Sequence, residues 1–190
     1  MQKAPDKRVI KTRNLIKLTV AKMLVNQKPD EINVSEIARQ ALIQRATFYN
    51  HYANVYEVEY DIFRDITAVV AKELETMDFS DVRGSCRDIT DGFKRIKRSL
   101  EPEYITLLLS DNPAVNKGLR DWLTDSAVKR VEKCQRALTR FEKYSAAMYV
   151  NGLIDAYAAW KNDSPEGCSD DYAAYAVKVI DSACGFIGIN

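Results

Sequence analysis

Glycine and proline are scarce, seven and five in 190 residues, and no stretch sustains the apolar–polar alternation of a half-buried strand. A chain with neither strand periodicity nor frequent backbone breakers reads as all-α. Histidine occurs once, as His51, and Cys86, Cys134, Cys168 and Cys184 stand far apart with no C-x-x-C pair. Zinc needs clustered ligands, so no metal site is expected, and a helical chain of this length calls for free thiols rather than a disulfide scaffold. The most hydrophobic run, Ala146 to Trp160, contains Asn151 and Asp155 and is too short to span a bilayer. Met1 is followed by Gln-Lys-Ala-Pro-Asp with no apolar core behind it, which reads as a cytoplasmic chain without a signal peptide. There is no acid–base pair, no glycine-rich phosphate loop and no nucleophile beside His51. No catalytic residue and no cofactor is therefore expected.

What is present is an uneven charge. The net charge is +1, yet residues 1–52 carry ten Lys and Arg against four Asp and Glu, while residues 53–190 carry eighteen against twenty-three. The balances are +6 and −5, so a polyanion partner is expected for the N-terminal part alone. Surplus lysines on a solvated helix face would give the same count without any such partner.

Apolar periodicity divides the chain into helices. The first is predicted over about 7–26, with Ile16, Val20, Met23 and Leu24 inward and Lys7, Arg8, Lys11, Arg13, Lys17 and Lys22 outward. Pro29-Asp30 breaks it. Asn33 stands where the next should begin, its side-chain oxygen placed to accept a backbone N–H, and Glu36 three residues on can reach back to close a capping box. Val34, Ile37, Ala38 and Ala41 then share one face of a helix barely two turns long. After Leu42-Ile43-Gln44, a second short helix is predicted over 45–52. Two short helices joined by a tight turn make a helix-turn-helix, whose second member lies in the major groove of DNA. A longer helix from about Val55 to Met77 follows, with Val58, Ile62, Ile66, Val69 and Val70 recurring three or four apart.

The second short helix offers Arg45, Thr47, Tyr49, Asn50 and His51 around an inward Phe48. This surface is rich in donors and free of carboxylates, as one meeting phosphates and base edges must be. Tyr49 and His51 suit phosphate contacts. Arg45 suits a bidentate contact to guanine and Gln44 one to adenine, unless Gln44 only caps the helix. Thr47 suits a phosphate or a thymine methyl, and Asn33 completes the DNA-facing set. Phe48 and Tyr52 are read as core. Lys11 and Arg13 are phosphate neighbours or simply solvent-exposed.

The stretch Arg45-Ala46-Thr47-Phe48-Tyr49-Asn50-His51-Tyr52 resembles the recognition helix of the TetR family of bacterial transcriptional regulators, with its Thr-Phe-Tyr core and His-aromatic end. Ile37-Ala38 matches the helix before it, and the upstream run LIKLTVAKMLVNQKPDEINVSEIA is similar to the family's first helix and loop. The resemblance covers about the first third of the chain. It departs where the family has Gly and this chain has Leu42, where a small cap is replaced by Gln44, and where Asn54-Val55 replaces Asp-Lys. The resemblance implies an all-α homodimer with a three-helix DNA-binding domain, here 1–53, and a helical dimerisation and ligand-binding domain, here 54–190. It also implies repression at a near-palindromic operator in double-stranded DNA, relieved by a small molecule.

Further helices are predicted over 86–99 (around Ile89, Phe93 and Ile96), from Glu101-Pro102 through Leu109, from Asp111-Asn112-Pro113 to about Ala137, and over 141–161 and 170–187. The last two, split by Asn162 to Gly167, should pair as an antiparallel hairpin. Small residues lie on several of their sides, among them Ala156, Ala159, Ala173, Ala176 and Ala183, with Ile180 beside them. Apolar character on two faces calls for a second copy to complete a four-helix bundle, although an alanine-rich internal pair would read the same way. Tyr104, Leu108, Trp122, Met148, Tyr149 and Tyr157 are candidates to line a cavity for an apolar or aromatic effector, or else plain core. Two rivals stay open: a helical protein-interaction module that kept the head, and a regulator with no ligand.

Overall fold

The structure, a computed structural model, describes residues 7–110, 112–163 and 169–189. Among them there are nine α-helices and no strand, so the chain is all-α. In order they are α1 (Lys7–Leu24), α2 (Val34–Gln40), α3 (Arg45–Tyr49), α4 (Val55–Thr76), α5 (Cys86–Ser99), α6 (Pro102–Leu108), α7 (Pro113–Cys134), α8 (Arg140–Asp163) and α9 (Ser169–Ile187), with a 3-10 turn at Pro29–Glu31. No helix among the described residues is long and apolar enough to cross a membrane.

The chain forms two compact units. The first comprises Met1–Ile66 with Glu101–Asn116, the second Thr67–Leu100 with Lys117–Asn190. In the first, Ile16, Val20, Leu24, Ile37, Phe48, Val58 and Ile62 are fully or almost fully buried. They are the apolar faces that the sequence pattern marks on α1, α2, α3 and α4. The return of α6 to this unit is not visible in that pattern. It rests on α1 through Lys22–Glu103 at 3.2 Å, while the Asn112 side chain donates to the carbonyls of Leu24 (2.7 Å) and Gln27 (3.0 Å). A helix leaves its last carbonyls without partners, and Asn112 supplies donors at the end of α1.

In the second unit α9 packs against both α5 and α8. The α8–α9 pair runs antiparallel: Tyr172 donates its hydroxyl to the Leu153 carbonyl, and at the other end the Phe186 and Phe141 rings lie 6.5 Å apart. The connection at 164–168 lies outside the described residues. Phe93, expected inward on α5, is exposed. Ile96 is buried as expected, Ile89 lies outside the residues whose side chains are described, and Gly92 is buried where the Met77 side chain packs over it so closely that a Cβ there would meet its methyl at 2.2 Å.

Candidate nucleic-acid interface

α2 starts at Asn33, whose Oδ1 accepts the Ser35 N–H at 2.8 Å. The reciprocal half of the expected capping box is not made. Glu36 turns instead along its own helix to Arg39 and Gln40 (2.6–2.9 Å), and these hydrogen bonds, Arg39 first, lower its carboxyl to about 2. An arginine three residues ahead competes better for a carboxylate than a backbone amide does. Asn33 itself is exposed.

At its other end α2 closes with the Ile43 N–H on the Ala38 carbonyl (2.9 Å) and the Leu42 N–H on the Arg39 carbonyl (3.3 Å). This is a Schellman turn, and it places Leu42 at φ 51, in the left-handed region. Glycine meets that conformation freely, whereas an L residue with a side chain pays about 1–2 kcal/mol for it.

α3 ends at Tyr49, earlier than the 45–52 expected. Its continuation through Asn50 and His51 is a turn held by His51 N–H to the Phe48 carbonyl (2.9 Å) and Tyr52 N–H to the same carbonyl (3.0 Å). Phe48 is fully buried, with Tyr49 and Tyr52 packed on it at ring distances of 5.5 and 6.1 Å. That anchoring turns the rest of the helix outward: Gln44, Arg45, Tyr49 and Asn50 are exposed, and Thr47 and His51 half-buried. Gln44 holds the N-cap position without a side-chain cap bond. The Arg45 guanidinium leans on Tyr49, 5.6 Å from the ring centre and 3.3 Å from its hydroxyl. No carboxylate lies on α3.

Behind this edge is a polar lock that the residue pattern does not announce. The Arg13 guanidinium pairs with Asp61 on α4, stacks on the Tyr52 ring (4.9 Å) and donates to its hydroxyl (3.3 Å), which in turn donates to Asp61 at 2.9 Å. Arg64 adds a second guanidinium to Asp61 at 2.8 Å. One turn along, Lys17 pairs with Asp65, to which the Tyr104 hydroxyl of α6 also donates (3.4 Å). Arg13 and Lys17, expected to face outward, are thus engaged within the chain, and Lys17 is buried. Burial pushes the Tyr52 hydroxyl up to about 12. Burial also pushes the Asp61 carboxyl up, but hydrogen bonds from Arg13 and Tyr52 and both guanidinium charges bring it net below its ordinary value. A carboxylate depressed in the folded state stabilises at neutral pH. That stabilisation fades as pH falls from the ordinary Asp value, about 3.9, through the lower folded value. Acid unfolding followed by circular dichroism should therefore show a low-pH loss of stability that is reduced in Asp61→Asn.

Arg13, His51, Tyr56, Tyr60 and Asp61 border an open cleft of about 420 Å³ beside the end of α3. No family model and no solved structure matches this chain. It is 25% identical over 181 residues to the uncharacterized HTH-type transcriptional regulator YxbF of Bacillus subtilis (strain 168). The alignment takes in 85% of this chain and 42% of that protein, so the chain spans less than half the length of its relative. The similarity is to a helix-turn-helix regulator.

The other candidate residues are scattered. Tyr104 is buried and Leu108 half-buried in the first unit, while Trp122, Tyr149 and Tyr157 are half-buried in the second. Met148 is 60% exposed, so it borders solvent rather than a closed cavity. The Tyr157 hydroxyl is buried without a hydrogen-bond partner, its ring 4.9 Å from that of Tyr172. Among the small residues of the hairpin, Ala176 and Ala183 are already buried within the single chain, Ala156 and Ile180 are half-buried and Ala159 is exposed. Ala173 lies outside the residues whose side chains are described. The outward strip is larger and more aromatic than the sequence suggests: Phe141, Tyr144 and Met148 on α8, with Tyr175 and Phe186 on α9, are all exposed.

Proposed function

We propose that the chain is a DNA-binding transcriptional regulator of the TetR type, gripping double-stranded DNA through Gln44, Arg45, Thr47, Tyr49, Asn50 and His51. The observation that carries this reading is the exposed, carboxylate-free edge of α3, fixed from behind by buried Phe48 and by the Arg13–Tyr52–Asp61 lock. The basic balance of residues 1–52 and the similarity to a helix-turn-helix regulator support it. Arg45 and Gln44 read bases; Tyr49 and His51 hold phosphates and set the register. Asn33 flanks the same surface at the start of α2.

Two copies, joined through the outward strip of α8 and α9, would present two heads to a near-palindromic site. The two recognition helices must then stand about 34–36 Å apart, one turn of DNA. By the family resemblance the protein represses, and an apolar or aromatic effector bound by the second unit relieves repression. DNA must then weaken effector binding by the same factor as effector weakens DNA binding.

Electrophoretic shift and fluorescence anisotropy on genomic fragments test the DNA reading. Affinity should fall steeply with salt as phosphate contacts release counterions. Arg45→Ala should lose about 1–3 kcal/mol on the preferred site and relax its sequence, whereas Tyr49→Phe should weaken all duplexes alike. Salt-independent binding, or none on any fragment, sinks the reading in favour of a protein-interaction module.

A further inference from the structure

Leu42 is the one non-glycine residue with positive φ among the described residues, and it is also 92% exposed. Both facts run against a leucine there. The Schellman turn asks for a left-handed residue, which glycine or asparagine supplies freely, and water asks for a polar one. The neighbours explain the turn but not the side chain: Ile43 is half-buried and Ala41 buried, so the backbone is anchored on either side while Leu42 touches solvent. A strained backbone position that persists where an ordinary residue would relieve it is a marker of function.

We propose that Leu42 is a specificity residue of the DNA interface, making apolar contact with a thymine methyl at the edge of the major groove. This rests on the DNA-binding reading. Leu42 stands two residues before Gln44, whose extended backbone (φ −76, ψ 147) leads into the first turn of α3. That is the end of a recognition helix from which side chains reach base edges. Gln44 and Arg45 are exposed beside it and supply only polar contacts. An aliphatic side chain can read sequence in the major groove in one way, by packing on the C5-methyl of thymine, because the other groups displayed there are donors and acceptors. Leu42 thus adds an apolar reading to the polar ones, at a turn where glycine would read nothing.

Site selection from a random duplex pool, with wild type, Leu42→Gly and Leu42→Asn, tests this directly. Both replacements suit the left-handed backbone, so both variants should fold with thermal midpoints equal to or above that of wild type. Affinity is then measured on the duplex selected by wild type and on the same duplex with deoxyuridine for thymine, which removes only the methyl groups. Wild type should lose roughly three- to fivefold for each half-site demethylated at its contacted thymine, the scale of one buried methyl. The variants should bind the thymine duplex more weakly by the same factor and not respond to its demethylation. Unchanged selection and affinity in both variants would overturn the proposal, as would an equal loss on demethylation in all three proteins. A wild type that retains nothing from the pool overturns the DNA-binding reading itself, and does so before any variant is made.

Discussion

Asp61→Ala is expected to lower the stability of the protein by about 2–3 kcal/mol, well beyond a surface substitution. The Asp61 side chain is 6% exposed and accepts from Arg13, Arg64 and the Tyr52 hydroxyl. Removing one member of a buried pair costs about 3–5 kcal/mol when the partner stays dry. The Arg13 side chain is 41% exposed, so water recovers part of that. The Tyr52 hydroxyl is worse placed, losing its acceptor in a buried setting. Chemical denaturation measures the loss, and DNA affinity should drop in parallel because Tyr52 closes the turn that carries His51. Asp61→Asn, which keeps an acceptor oxygen, should lose less. A stability change below about 0.5 kcal/mol for Asp61→Ala would show that the lock contributes no more than an exposed ion pair.

If the proposed dimer forms through the outward strip, Met148→Glu combined with Phe186→Glu should convert it into a folded monomer and lower DNA affinity on the order of a hundredfold or more. Phe141, Tyr144 and Met148 occupy one face of α8, and the Phe186 ring lies 6.5 Å from that of Phe141, so the strip spans both helices. Both substituted side chains are more than half exposed in the single chain, so the charges enter water rather than the core. Two heads on one particle bind with the avidity of a linked pair, and separating them removes it. Light scattering and circular dichroism read mass and fold separately. A variant that remains dimeric places the contact elsewhere. Ala176→Glu, by contrast, puts a charge at a position already buried in the single chain, and it should unfold the second unit rather than split a dimer.

The all-α class and most helix bounds were legible where apolar periodicity is strong, as in α4 and α5: α5 runs over the predicted 86–99, and Val58, Ile62 and Ile66 of α4 are buried as their spacing requires. The exposed side of α3 was legible too, since the helix has one apolar anchor, Phe48, and Arg45, Tyr49 and Asn50 around it turn out. The sequence alone thus determined which residues form helices, where basic charge collects and which short helix carries donors without carboxylates. Those properties are local, set by spacing of a few residues. Only the tertiary structure decided that Glu36 abandons its cap for Arg39, that Arg13 and Lys17, read as outward, pair with Asp61 and Asp65, and that α6 returns to α1. It also decided which alanines of the last hairpin the chain itself buries and which aromatics it leaves outside. Each of these turns on which partner lies nearest across tens of residues. A side chain's charge and length leave that choice open until the backbone brings the competitors within hydrogen-bond reach.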